Sequence, residues 1–288
     1  MAKIAIIGAG RLGTSLGRAL ASRGHHIKAL SCRRASSAAE SRRIIGQGLA
    51  LTDNAAAAQR GNVIFLCLPD EKIQRVAEAL SKAKINWEEK TVFHTSGLLP
   101  ARALQPLKKK GALTASIHPI QSFARKTTPP SRFRGIYFGL EGDRRALAVA
   151  RGFVRQLGGR ALVIPARRKP FYHAAFVLAS NFPIVLLSGA VALLRKAGIG
   201  EAKASRLLYP LLEGTLRNVK KLDIQASLTG PIVRGDAVSV RAHLQTLGRL
   251  PQFARVYREL SLLALELAKR KGLSRQKLRA LRRLLEGK

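Results

Sequence analysis

The first half of the chain alternates short apolar runs with amphipathic stretches. Residues 3–7 (KIAII) form a continuous β-rich run, and an apolar helical pattern begins a few residues later. A second run starts at residue 26 (HIKALSC), and another lies in NVIFLCL (62–68), ahead of an amphipathic helix. KTVFHTSG (90–97) and GALTASIHP (111–119) read as the fifth and sixth strands of the series. IYFGLEGD (136–143) and RALVIP (160–165) read as two more, around a helix over 143–157. Strands alternating with helices predict an α/β domain with a doubly wound, Rossmann-type parallel sheet.

After residue 165 the alternation stops. Residues 170–286 show no strand pattern and read as four or five helices, broken at Gly198–Gly200, Thr229-Gly230-Pro231, Gly248 to Pro251 and Gly272. The expected organisation is therefore a dinucleotide-type domain over 1–165 and an all-α domain over 166–288 that shapes a substrate site and dimerises. FVLASNFPIVLLSGAVALL (176–194) has the length of a membrane span, but it carries Ser180, Asn181, Pro183, Ser188 and Gly189. The expectation is a helix buried in a domain core or a homodimer interface, with no membrane span.

Gly8, Gly10 and Gly13 follow the first strand as G-x-G-x-x-G and open the first helix. Gly8 suits a tight turn, Gly10 lets a pyrophosphate approach the backbone, and Gly13 lets helix pack on strand. The first helical turn, Arg11, Leu12 and Gly13, offers free N–H groups and partial positive charge to phosphates. Leu68 and Pro69, after the strand at 62–68, are the expected neighbours of the same ligand. An NAD enzyme places an acidic residue at the end of the second strand, to bind the ribose hydroxyls. This chain has Ser31, Cys32, Arg33 and Arg34 there. A hydroxyl and two guanidinium groups suit a 2′-phosphate, so Ser31, Arg33 and Arg34 predict NADP.

Charge changes the picture in one respect. The 288 residues hold 52 Lys and Arg against 16 Asp and Glu, a net +36, which attracts anions of every kind. The basic residues are scattered rather than gathered on one element, and aromatics make up 5%, poor material for stacking bases. A generally acid-poor surface is expected, not specific nucleic-acid binding. The two cysteines, Cys32 and Cys67, lack metal-ligand spacing, so no metal site is expected. They read as free thiols of a reducing cytoplasm. No signal-peptide pattern precedes the first strand, so a cytoplasmic location is expected.

Ligands of doubly wound sheets bind outside the carboxyl ends of the strands. Ser96 and His118 fall at two such ends, and His118 is the candidate proton carrier. His173, Val177 and Asn181 lie four residues apart on one helical face, with Ser180 beside them. Pro183 is expected to kink that helix.

Taken in order, G-A-G-x-x-G, L-P-D, H-T-S-G, S-I-H-P, H-A-A-x-V-x-A-S-N and L-T-G-P-x-x-R-G-D resemble the bacterial Rossmann-like proteins with a C-terminal domain of unknown function 2520. That resemblance implies an NADP-dependent oxidoreductase. A more distant similarity is to prephenate dehydrogenases, in which a serine follows the fifth strand and His-Pro the sixth. It implies that His118 is the acid/base and Ser96 its orienter; His173 and Asn181, from their shared helical face, are the candidates for holding the substrate. Asn181 stands where that family has a histidine, a departure that bears on the substrate and not on the proton transfer. The helical half is similar to that of 6-phosphogluconate and 3-hydroxyisobutyrate dehydrogenases. There a lysine four residues before an asparagine holds the substrate; here Val177 occupies that position.

The leading expectation is hydride transfer between NADP and a small anionic carbonyl or hydroxyl substrate. A 2-keto acid such as ketopantoate is one candidate, by analogy of architecture. A second reading is a non-catalytic dinucleotide sensor that docks on a partner, and a third an anion or nucleic-acid binder.

Overall fold

The computed structural model describes residues 1–287. It divides into two compact units, Met1–Phe182 and Pro183–Lys288. The first contains an eight-stranded sheet: β1 (Lys3–Ile7), β2 (His26–Ser31), β3 (Leu49–Leu51), β4 (Val63–Leu66), β5 (Thr91–His94), β6 (Leu113–Pro119), β7 (Tyr137–Gly142) and β8 (Arg160–Val163). Their order is β3-β2-β1-β4-β5-β6-β7-β8. Helices α1 (Arg11–Ala21), α2 (Ala35–Ile45), α3 (Asn54–Gln59), α4 (Asp70–Ser81), α5 (Gln105–Lys108) and α6 (Arg144–Gln156) connect or flank the strands.

Strand sequence explains the two-faced packing. Side chains alternate across a strand, so an uninterrupted apolar run fills both faces. Ile4, Ile6, Phe65 and Phe93 face α1, α2 and α6, where Leu16, Leu20, Ile45 and Phe153 meet them. Ala5, Ile7, Ile64, Leu66 and Val92 face the other layer, with Ile73, Leu80, Trp87 and Leu107. Each such side chain contributes about 1.5–3 kcal/mol by burial.

Two features depart from the pattern read in the sequence. Strand β3 is only Leu49-Ala50-Leu51, too short to carry a readable period. Strand β7 pairs antiparallel with β6, and β8 then runs parallel to β7. The link from β6 to β7 holds a single 3₁₀ turn (Pro130–Phe133) and no crossover helix of the kind that joins parallel strands. The first six strands keep the parallel arrangement.

The first unit runs on past Pro165 to Phe182, through α7 (Lys169–Phe176) and a π-helical turn (Val177–Asn181). Side-chain bonds from α7 to β5 and β6 explain that extension beyond the boundary read at 165. The irregularity just before Pro183, where a kink is expected, is this π turn; proline cannot donate the next helical hydrogen bond.

The second unit is helical: α8 (Phe182–Lys196), α9 (Glu201–Lys221), α10 (Ile224–Ser227), α11 (Pro231–Arg234), α12 (Ala237–Leu247), α13 (Pro251–Arg270) and α14 (Arg275–Glu286). Its core is built by α11 to α14 around Ile232, Val240, Leu244, Leu265 and Leu281. Helix α8 was expected to be buried. Within the chain its apolar face is uncovered, which leaves the interface alternative: Ile184, Val185 and Leu186 are exposed, as are Leu207, Leu211 and Leu216 of α9. The helical stretch Ala166–Lys196 is long and apolar enough to cross a membrane by length and composition.

Candidate functional site

The glycine turn after β1 has the geometry its sequence implies. Gly8 has φ +87°, and a Cβ there would sit 2.5 Å from the Cys67 carbonyl oxygen and 2.7 Å from Leu68. A Cβ at Gly13 would sit 2.5 Å from the Gly8 oxygen, so α1 packs this close only without one. Gly10 differs. A Cβ there would meet nothing nearer than 4.0 Å, leaving open space over the first turn of α1. Arg11, Leu12 and Gly13 begin that helix, where N–H groups have no intrahelical acceptor. Pro69 caps α4 on the neighbouring strand end.

At the end of β2 the three expected ligands separate. Ser31 is fully buried and its hydroxyl bonds to Asn54 Oδ1 at 2.8 Å, so its side chain is part of the fold. Arg33 and Arg34 are exposed. Neither guanidinium bonds to another of the described residues. Lys126, which sequence reasoning missed, bonds beside them to Ser37 Oγ at 2.8 Å and to Glu40 at 2.7 Å.

Because β1, β4, β5 and β6 are parallel, the glycine turn and His118 lie on the same edge of the sheet. A cavity of about 420 Å³ opens there. His118, His173, Ser180 and Asn181 all line it, together with Gln121, Ser122 and Phe176. The sequence pattern singled out the first four. Ser122 also borders a depression lined by Arg125 and Arg132.

His118 Nδ1 is 2.9 Å from the Tyr172 hydroxyl, with the rings edge to face. The Gly139 backbone lies against the same phenol oxygen. Gly139 pairs with His118 across β6 and β7, and a Cβ there would fall on the Tyr172 hydroxyl. Burial pushes the Tyr172 phenol upward, so it stays protonated. His173 and Phe176 complete the wall, their rings 6.3 and 6.4 Å from that of His118. Gly97 leaves room for both imidazoles: a Cβ would lie 2.8 Å from His173 and 2.9 Å from His118.

Ser96 does not bond to His118. Its hydroxyl accepts the N–H groups of Leu98 and Leu99 at 3.1 and 2.8 Å, holding the turn after β5. His94 supports the same turn. Its Nδ1 accepts from the Ser96 N–H, which leaves Nε2–H to donate to the Pro100 carbonyl. Behind them lies Lys169, 1% exposed, donating to Ser116 Oγ at 2.7 Å and to the Ser96 carbonyl at 3.3 Å. Lys169 and Tyr172 were not anticipated. Lys169, Tyr172, His173 and Phe176 follow the i, i+3, i+4, i+7 spacing of one helical face, a signal that was available.

Burial first, then the charge of Lys169 and the neighbouring His173, hold His118 at about 4. Burial and Lys169 hold His94 at about 3. Burial also lowers Lys169, to about 8, against the opposing pull of Glu141 and Asp70.

Two outcomes are expected. Gly139→Ala should lower stability by about 1–3 kcal/mol in urea melts, and adding Tyr172→Phe should recover part of that loss. Strictly additive effects would contradict the contact. Both histidines titrate lower in the folded chain than the ordinary 6.5. The unfolded chain therefore binds more protons between about pH 4 and 6.5, and stability should fall as pH drops through that window. A melting temperature that stays flat across it would contradict buried neutral imidazoles.

Residues 1–119 match the profile of a Rossmann-like domain, and residues 136–264 that of a domain of unknown function, DUF2520. No curated protein matches the chain. A solved structure from Bacteroides fragilis, provisionally named an NADP oxidoreductase, has 26% identity and a TM-score of 0.77, over 92% of this chain and 98% of that one. One from Thermotoga maritima has 29% identity and a TM-score of 0.71, over 93% and 99%. Prephenate dehydrogenase from Aquifex aeolicus shares the fold at 16% identity, with a TM-score of 0.55 over 77% and 92%. The chain is a Rossmann-like protein with a C-terminal DUF2520 domain.

Proposed function

We propose that this protein is an NADP-dependent oxidoreductase acting on a small anionic carbonyl or hydroxyl compound, such as a 2-keto acid, with His118 as the acid/base. The observation that carries this reading is the cavity containing His118, His173, Ser180 and Asn181, on the sheet edge that also holds the glycine turn. The provisional name of the Bacteroides fragilis protein, similar over nearly all of both chains, agrees with it.

The residues fit the cofactor. Space over Gly10 admits a pyrophosphate to the N–H groups of Arg11, Leu12 and Gly13. Leu68 and Pro69 border the same turn. Arg33 and Arg34, free at the end of β2, suit a 2′-phosphate. When bound, the nicotinamide supplies or accepts the hydride.

The chain's own groups do the rest. Tyr172 holds His118 through Nδ1 and leaves Nε2 for a ligand. A neutral imidazole is ready to take the hydroxyl proton in the oxidative direction, and the same site returns it in reduction. Tyr172 thus takes the orienting role expected of Ser96, while Ser96 shapes the turn that carries Gly97. His173, Ser180 and Asn181 hold the substrate by hydrogen bonds. No Lys or Arg lines the cavity itself, so an anionic group is drawn by Arg125 and Arg132 beyond Ser122.

The protein further reads as a homodimer of the reducing cytoplasm, its Cys32 and Cys67 unpaired. The exposed apolar faces of α8 and α9, and an apolar groove of about 410 Å³ between α8 and α13, support pairing with a second copy.

NADPH is expected to bind more tightly than NADH in fluorescence titrations, with the preference lost in Arg33→Ala/Arg34→Ala. His118→Ala should lower kcat by about 10²–10⁴-fold with NADPH affinity unchanged. Above about pH 5, kcat/KM should stay flat for oxidation and fall roughly tenfold per unit for reduction. Absence of binding by either nucleotide would overturn the proposal.

In sedimentation equilibrium, the wild type should behave as twice 31.3 kDa. Leu207→Glu/Leu211→Glu should behave as a monomer. A monomeric wild type would contradict the dimer.

A further inference from the structure

We propose that Lys169 is a positioning residue whose buried ammonium, clamped between the Ser116 hydroxyl and the Ser96 carbonyl, keeps the His118 imidazole neutral. The inference rests on the acid/base role of His118 proposed above and adds a device that controls it.

The geometry is specific. Ser116 and His118 are two residues apart on β6, so their side chains emerge on the same face of the sheet. The Lys169 ammonium donates to Ser116 Oγ at 2.7 Å and to the carbonyl of Ser96, the residue before Gly97, which itself abuts His118. Lys169 therefore joins the ends of β5 and β6 from the first turn of α7, the helix that also supplies Tyr172 and His173.

Its charge is not neutralised locally. Among the described residues no carboxylate lies within ion-pair distance of Lys169. Glu141 of β7 accepts the Ala101 N–H, and Asp70 begins α4; both act on Lys169 only through longer-range attraction. An isolated buried cation is unfavourable, and a well-packed apolar side chain would ordinarily be the more stable choice. The cost has a local effect: any proton added to an imidazole here meets an existing positive charge.

The groups around His118 are few. From β5 comes His94, with Nδ1 and Nε2 both committed. From α7 come Lys169, Tyr172 and His173. From β7 the neighbour is Gly139, with Glu141 two residues on. Among these, Lys169 brings an ammonium that is mainly charged at neutral pH, and burial of the imidazole acts in the same direction.

The test is a pH titration of the His118 Cε1–H NMR signal in the full chain, in wild type and in Lys169→Gln, which keeps a donor but removes the charge. His118 should titrate about one unit or more higher in the variant, and more so than in Lys169→Arg, which retains charge. The pH dependence of kcat/KM should move by the same amount while NADPH affinity holds. A His118 midpoint unchanged in folded Lys169→Gln would overturn the proposal. Should that variant not fold, the wild type decides: the His118 signal should shift in step with the Lys169 Nζ titration near pH 8, and no coupled step would overturn it. Because the signal needs no turnover, a protein inactive on every substrate would refute the enzymatic reading without touching this one.

Discussion

The hydrogen bond between Tyr172 and His118 is the contact on which the rest of the site depends. It is made across three elements: the imidazole comes from β6, the phenol from α7, and the space from Gly139 on β7. Docking the first turns of α7 in this way also places His173, Phe176, Ser180 and Asn181 around one cavity. Loss of the bond would release both the orientation of the ring and the wall opposite it. The π turn before Pro183 belongs to the same device, since it carries Ser180 and Asn181.

Electrostatics give the site a character unlike the surface around it. The chain carries a net +36, yet the cavity is lined by imidazoles, hydroxyls and amides, with no Lys or Arg among them. The nearby cation is Lys169, out of solvent and behind the lining residues. Arginines stand in the depression beyond Ser122 and at the end of β2, the places where the proposed function puts carboxylate and phosphate. That division leaves anion attraction to the long-range field of the outer surface, while burial and Lys169 favour the neutral form of the His118 imidazole inside.

Much of this was legible in the sequence, for identifiable reasons. Uninterrupted runs such as KIAII and VIFL fill both faces of a sheet, and the glycine spacing fixes the turn after the first strand. The convergence of His118, His173, Ser180 and Asn181 followed from strand ends and helical periodicity. Ser31, expected beside the ligand, has its hydroxyl on Asn54, a partner distant in sequence that the strand-end pattern cannot reveal. Ser96 gave way to Tyr172 as the partner of His118 because the contact spans 54 residues and requires knowing how α7 docks. Lys169 stood among many basic residues, set apart in the sequence only by its helical face shared with Tyr172, His173 and Phe176, and in the structure by burial. Helix α8 read as buried in a core or in a dimer interface, because composition cannot say whether its apolar face is covered by its own chain or by another.

The central claim is that a phosphorylated nicotinamide nucleotide spans this edge of the sheet, from the arginines after β2 to the imidazole at the end of β6. A crystal structure of the complex with NADP+ tests it most directly. The account predicts the 2′-phosphate at Arg33 and Arg34, the pyrophosphate over Gly10, and the nicotinamide ring facing the cavity of His118 and Asn181. A nucleotide bound in the opposite sense, or with its nicotinamide turned away from His118, would contradict it.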